Sequence, residues 1–169
     1  MTVSSFSTCD LCDAHEGEAS GAFRVLPPAL RDFGAPRAFC GPVHTLRAPE
    51  DNSRVREAVN SPGQGRVLVI DGGGSLRYAL VGGNLAVAAA RNGWAGIVVD
   101  GCVRDAAELR AAGIPIRALA LMPLRTTKRG EGQAGEPVRI QGVWVRPGDW
   151  LYADEDGIVV ADRQIAERP

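Results

Sequence analysis

Two short apolar runs dominate the middle of the chain. Arg66-Val67-Leu68-Val69-Ile70 and Gly96-Ile97-Val98-Val99-Asp100 lack polar alternation, which predicts strands covered on both faces. Between them, Asn84 to Asn92 places Leu85, Ala88 and Ala89 on one helical face, and Asn92-Gly93 supplies a stop. Ala106 to Ala112 predicts a short helix ended by Gly113, and Ile116 to Leu121 a third strand before Pro123. Strand and helix thus alternate over 66–121, which argues for parallel strands in an α/β layer. Asp71-Gly72-Gly73-Gly74-Ser75 reads as a tight turn separating the first strand from Leu76–Val81.

The flanks differ. Residues 7–14 predict a short helix capped by Ser7 or Thr8, with Leu11 and Cys12 facing a core. Residues 15–37, rich in glycine and proline, read as irregular. Pro49-Glu50-Asp51-Asn52 reads as a helix entry, with Val55, Ala58 and Val59 at helical spacing and Ser61-Pro62-Gly63 as the exit. From Pro137 onward the pattern is all-β. Val138–Ile140 and Val143–Val145 form a hairpin, and turns at Pro147–Asp149 and Asp154–Gly157 precede Ile158–Val160. Arg125 to Glu136 reads as an exposed loop.

Composition narrows the function. A length of 169 residues predicts one domain spanning 1–169. With 19 basic and 20 acidic residues and 5% aromatics, no footprint for direct nucleic-acid binding is expected. The near-apolar run Ala79–Ala90 is too short for a membrane span, and Met1–Cys12 lacks the features of a signal peptide. Four cysteines in an ordinary composition suit free thiols and a cytoplasmic location.

Several motifs are incomplete. The Asp71–Ser75 segment lacks the third glycine of a dinucleotide fingerprint, which would fall at Arg77, and no Gly-Lys-Ser/Thr follows. Cys9 and Cys12 form a CxxC, but Cys40 and His44 do not make the second half of a zinc site, so buried free thiols are expected. Two histidines and no Gly-x-Ser-x-Gly disfavour a hydrolase triad. Arg104-Asp105 is more informative. It follows the Gly96–Asp100 strand, where ligands of open α/β sheets sit, and Gly82-Gly83-Asn84-Leu85 opens a helix whose free N–H groups attract anions. Arg offers a carboxylate fork and Asp a hard oxygen for Mg²⁺ or Mn²⁺, which would suit a small α-keto acid chelated to a divalent ion. The alternative is that both residues are ordinary helix-entry charges.

Val67–Arg77, Gly93–Val99, Gly101-Cys102-Val103-Arg104-Asp105 and Tyr152–Val160 together resemble the family of regulator of ribonuclease E activity A. That family includes class II 4-hydroxy-4-methyl-2-oxoglutarate aldolases. The resemblance implies a layered β/β/α sandwich of the swivelling, phosphohistidine-domain-like type with a mixed sheet. It also implies a homotrimer or hexamer with sites between subunits. Arg104 would grip the pyruvyl carboxylate, Asp105 would hold the metal, and Gly82, Gly83, Asn84 and Leu85 would offer backbone contacts. The implied activities are metal-dependent aldol cleavage releasing pyruvate and oxaloacetate decarboxylation. A rival expectation is a non-catalytic partner of ribonuclease E. A methyltransferase reading lacks an acidic ribose partner after the glycine-rich segment. Aldolase members usually carry Gly-Asp or Gly-Glu where this chain has Gly82-Gly83, an acid that orients the water taking the substrate's hydroxyl proton. Glu108 fills the acidic place three positions after the Arg-Asp pair, and Asp100 is a further candidate for the missing carboxylate.

Overall fold

The computed structural model describes residues 6–168. In chain order the elements are α1 (Thr8–Ala14), β1 (Phe23–Val25), β2 (Arg31–Asp32), β3 (Phe39–Arg47), α2 (Ser53–Val59), β4 (Val67–Val81) and α3 (Gly83–Arg91). There follow β5 (Gly96–Val103), α4 (Ala106–Ala111), β6 (Ile116–Ala118), β7 (Ala120–Leu121), β8 (Gln133–Ala134), β9 (Val138–Ile140), β10 (Val143–Val145), β11 (Trp150–Ala153) and β12 (Ile158–Ala161). One large mixed sheet runs β1-β12-β11-β3-β4-β5-β6-β2, with β7 on β5 and β8 on β3, while β9 and β10 form a separate hairpin. β3 to β6 are parallel and the outer pairs antiparallel.

The unalternating runs are explained by two buried faces. Leu68, Ile70, Ile97 and Val99 pack with Val55, Val59, Ala86, Ala89 and Leu109 of the helices. Their neighbours Val67, Val69 and Val98 point the other way, against Val138, Ile140, Val145, Leu151 and Val160. The layers are therefore helices, parallel strands, and antiparallel strands with the hairpin, the expected β/β/α sandwich. A third, smaller cluster of Phe6, Cys40, Tyr152 and Val159 seats α1. Ser7 caps that helix by accepting the Asp10 N–H, while Thr8 bonds Asp154.

Four expectations need correction. Asp71–Ser75 is not a turn between two strands. β4 runs on through it, bulged against β5 by register shifts between Asp71 and Val81. Gly73 and Gly74 reach φ 67° and 69°, conformations that glycine adopts without a Cβ clash. Residues 15–37 hold β1 and β2, each only an edge pairing. Phe39–Arg47, for which the pattern predicts no element, is a strand despite Pro42. The loop 125–136 is not wholly exposed, since Thr126 is buried and β8 pairs with β3. All four cysteines are free, but only Cys40 and Cys102 are buried; Cys9 is exposed. No helix among the described residues is long and apolar enough to cross a membrane.

Candidate active site

β4 and β5 end side by side, and their carboxyl ends deliver the two predicted segments to one place. Val81 pairs with Val103, and the Arg104 N–H donates to the Val81 carbonyl at 3.0 Å. Gly82 and Gly83 therefore lie beside Arg104 and Asp105. The Asp105 carboxylate accepts the Gly83 N–H at 2.9 Å through Oδ2. Arg104 Nε lies 3.9 Å from the same oxygen, and both side chains are about one-third exposed, 36% and 37%. Arg104 also donates through Nη1 to the Pro123 carbonyl at 3.4 Å.

The backbone at this point is unusual. Asp105, which precedes α4, sits at φ 65°, ψ 52° in the left-handed region. A non-glycine residue there costs of order 1 kcal/mol or more, and Asp is among the few that tolerate it. That conformation aims the carboxylate back at the α3 entry. Gly82 is required for it: a Cβ there would lie 2.7 Å from Asp105 Oδ2 and 3.4 Å from Arg104 Nε.

The predicted backbone contacts divide. Gly83 has given its N–H to Asp105, so the unpaired donors of the first turn of α3 are those of Asn84 and Leu85. The cleft they face encloses about 450 Å³. Arg56, Arg91, Arg104, Arg125 and Lys128 line it against a single carboxylate, Asp105. Such a surface favours an anionic ligand.

Glu108 and Asp100 have separate fates. A Cβ built on Gly83 would fall 1.9 Å from Glu108 Oε2 and 2.7 Å from Glu108 Cβ. The Glu108 side chain thus occupies the room that a side chain at position 83 would need, and it makes no hydrogen bond or ion pair among the described residues. Asp100 does not line the cleft. Its two carboxylate oxygens accept the Gln141 side-chain amide at 2.6 Å and the Gln141 N–H at 3.2 Å, fastening the β9–β10 hairpin. It is a structural latch, not a substitute acid in this subunit's cleft.

Sequence reasoning missed Arg56, Arg91, Arg125 and Lys128. Arg56 and Arg91 follow Asn52 and Asn84 at helical spacing, which was a readable signal. Arg125 and Lys128 reach the cleft only through a loop whose path is tertiary. His15 stacks on Phe23 and His44 packs on Trp94; burial and the Arg66 charge lower the His44 pKa.

A mixed-sheet sandwich with a cationic cleft at the carboxyl ends of parallel strands defines the class: a layered α/β protein. The chain belongs to the RraA-like family (Aldolase/RraA), whose model matches residues 8–160. A relative from Albidiferax ferrireducens, provisionally named 4-hydroxy-4-methyl-2-oxoglutarate aldolase, is 67% identical over 93% of this chain and 95% of its own. A solved structure of the RNA-processing inhibitor RraA from Thermus thermophilis is 44% identical with a TM-score of 0.88, covering 95% of this chain and 94% of that one. Another, described as S-adenosylmethionine:2-dimethylmenaquinone methyltransferase from Geobacillus kaustophilus, is 39% identical with a TM-score of 0.88, covering 95% and 97%.

Proposed function

We propose that the chain is a divalent-metal-dependent lyase that cleaves 4-hydroxy-4-methyl-2-oxoglutarate to pyruvate and also decarboxylates oxaloacetate. The observation that carries this reading is the convergence of Arg104, Asp105 and the α3 amides in one cationic cleft. The relative named for that aldolase supports it.

The donor set fits Mg²⁺ or Mn²⁺. Asp105 commits one oxygen to Gly83 and keeps the other available. Among the described residues no three His, Cys, Asp or Glu side chains converge, which suits an ion held by one carboxylate plus water and substrate oxygens. When bound, the ion supplies Lewis-acid polarisation of the keto group. Arg104 takes the substrate's keto-acid carboxylate with its planar fork, and the Asn84 and Leu85 N–H groups orient it. Glu108 holds a water at the edge of the cleft and through it accepts the C4 hydroxyl proton. The C4 oxygen then forms a carbonyl as the C3–C4 bond breaks, so C4 leaves as the keto carbon of one pyruvate, while the bond's electron pair passes to the enolate of C1–C3 and C3 is reprotonated to give the second pyruvate. Arg104 stabilises the charge that grows on the enolate. Decarboxylation uses the same enolate without the hydroxyl proton transfer.

Oxaloacetate and 4-hydroxy-4-methyl-2-oxoglutarate turnover with Mg²⁺, and with a chelator, tests the reading. Pyruvate release from both substrates, abolished by the chelator, is expected; no release from either overturns it. The assembly proposed for the active form is a trimer or hexamer in the cytoplasm. A stable 17.8 kDa monomer in sedimentation would contradict that assembly. The likeness to the Thermus inhibitor supports a second reading, a regulator binding ribonuclease E. A pull-down against that enzyme by an Arg104→Ala variant separates binding from catalysis.

A further inference from the structure

Two of the cleft cations, Arg125 and Lys128, ride on one loop, and the loop is fastened in an unusual way. Asp51 immediately precedes the α2 entry and is fully buried. One of its oxygens accepts the N–H and hydroxyl of Ser53 at 2.8 and 2.6 Å. The other accepts the N–H groups of Arg129 and Glu131 at 2.6 and 3.3 Å. Neighbouring residues add to this clasp. The Asn52 N–H donates to Thr126 Oγ1 at 3.3 Å, the Gly130 N–H to Ser53 Oγ at 3.1 Å, and Arg54 Nη2 to the Gly130 carbonyl at 3.1 Å. At the near end, the Ala79 N–H donates to the Leu124 carbonyl at 2.8 Å.

This arrangement uses a buried carboxylate on loop amides although basic side chains are close by. Burial opposes its ionisation, but the Ser53 and loop donors prevail and hold its pKa down to about 2. Between the ties, Arg125 and Lys128 line the same cleft as Asp105. Neither side chain makes an ion pair or hydrogen bond among the described residues. The clasp therefore fixes the position of two charges and leaves both unneutralised.

We propose that Asp51 is a positioning residue: it sets loop 126–131 so that Arg125 and Lys128 read a second carboxylate on the ligand, away from the end gripped by Arg104. This rests on the reading of the cleft as a keto-acid site. The probes are 2-oxoglutarate and 2-oxopentanoate, which have the same chain length but end in a carboxylate and a methyl group. Calorimetry on the folded oligomer with Mg²⁺ gives their affinity ratio.

The wild type is expected to prefer the diacid by about tenfold or more, and Asp51→Asn to cut the preference severalfold with monoacid affinity unchanged within about twofold. Arg125→Ala and Lys128→Ala lie on exposed positions and are expected to reproduce the selective loss, so the test stands if Asp51→Asn fails to fold. Equal loss for both acids in these variants, or no diacid preference in the wild type, would overturn the assignment. A preserved preference without pyruvate release by the wild type would instead overturn the lyase reading and leave this one standing.

Discussion

The exchange of space between positions 83 and 108 makes a quantitative prediction. Glu108 Oε2, Cδ and Cβ lie 1.9, 2.9 and 2.7 Å from the place of a Cβ on Gly83. Real Cβ contacts stay beyond about 3 Å, and the clash involves Glu108 Cβ, so swinging the carboxylate aside does not by itself relieve it. Gly83 lies in the first turn of α3, where an acidic residue is favourable and needs no special backbone. The obstacle to Asp at 83 is therefore Glu108 itself. If Glu108 holds the proton-accepting water, Glu108→Gly should lower aldol cleavage by roughly 10²–10⁴-fold, the usual worth of general base catalysis. Oxaloacetate decarboxylation should fall by less than about tenfold. Gly83→Asp alone should impair both reactions by crowding the site. Gly83→Asp combined with Glu108→Gly, which removes the clashing Cβ as well as the carboxylate, should recover at least about tenfold of the lost aldol rate. Coupled pyruvate assays on all four proteins, with oligomer size checked first, give the cycle. Glu108→Gly retaining aldol kcat within about threefold would refute the assigned role, as would a double variant no better than Glu108→Gly.

Gly82→Ala should leave the melting temperature within a few degrees while abolishing most turnover, because its Cβ meets the Asp105 carboxylate at 2.7 Å; thermal scans beside oxaloacetate assays check both halves. Arg104→Lys should lose about tenfold or more in kcat/KM for oxaloacetate, since an ammonium cannot reproduce the planar fork, and near-normal kcat/KM would contradict its role. Leu109, fully buried on the inner face of α4, should cost about 2–5 kcal/mol on truncation to Ala, read by chemical denaturation. Glu50, bonded by Arg77 and Ser75, and Asp51 both ionise at about 2 in the folded protein. Their stabilising effect is full above the ordinary carboxylate range and is lost as pH falls from about 4.5 through 2. Melting temperature should drop across that window, and Asp51→Asn should flatten the drop.

The parallel half of the fold was legible because its strands are buried on both faces and carry no polar alternation. Arg104, Asp105 and the glycine pair were legible because they abut predicted strand and helix ends. Phe39–Arg47 escaped because Gly41-Pro42 interrupts it. The backbone tolerates that proline where β3 changes partners: Phe39–Pro42 pair with β11 and Val43–Arg47 with β4. The triple glycine suggested a turn because a bulge and a turn demand the same positive φ. Asp100 was misjudged because its partner, Gln141, lies far along the chain. Glu108 was flagged by likeness to the family, but its occupancy of the volume beside Gly83 depends on how α4 packs against α3.

The dual pairing of β3 also orders the protein's birth. Chains emerge from the ribosome amino end first. A nascent polypeptide exposed as far as Leu121 already contains β3 to β7 and helices α2 to α4, enough for the parallel half. The first half of β3 must wait for β11, and β1 for β12, since Phe23 pairs with Ala161. Until then both present unpaired edges, the surfaces most prone to sticking between chains. A stop codon or proteolytic cut near Trp150 would thus be felt at the opposite terminus, as aggregation of a chain whose cleft residues are all present.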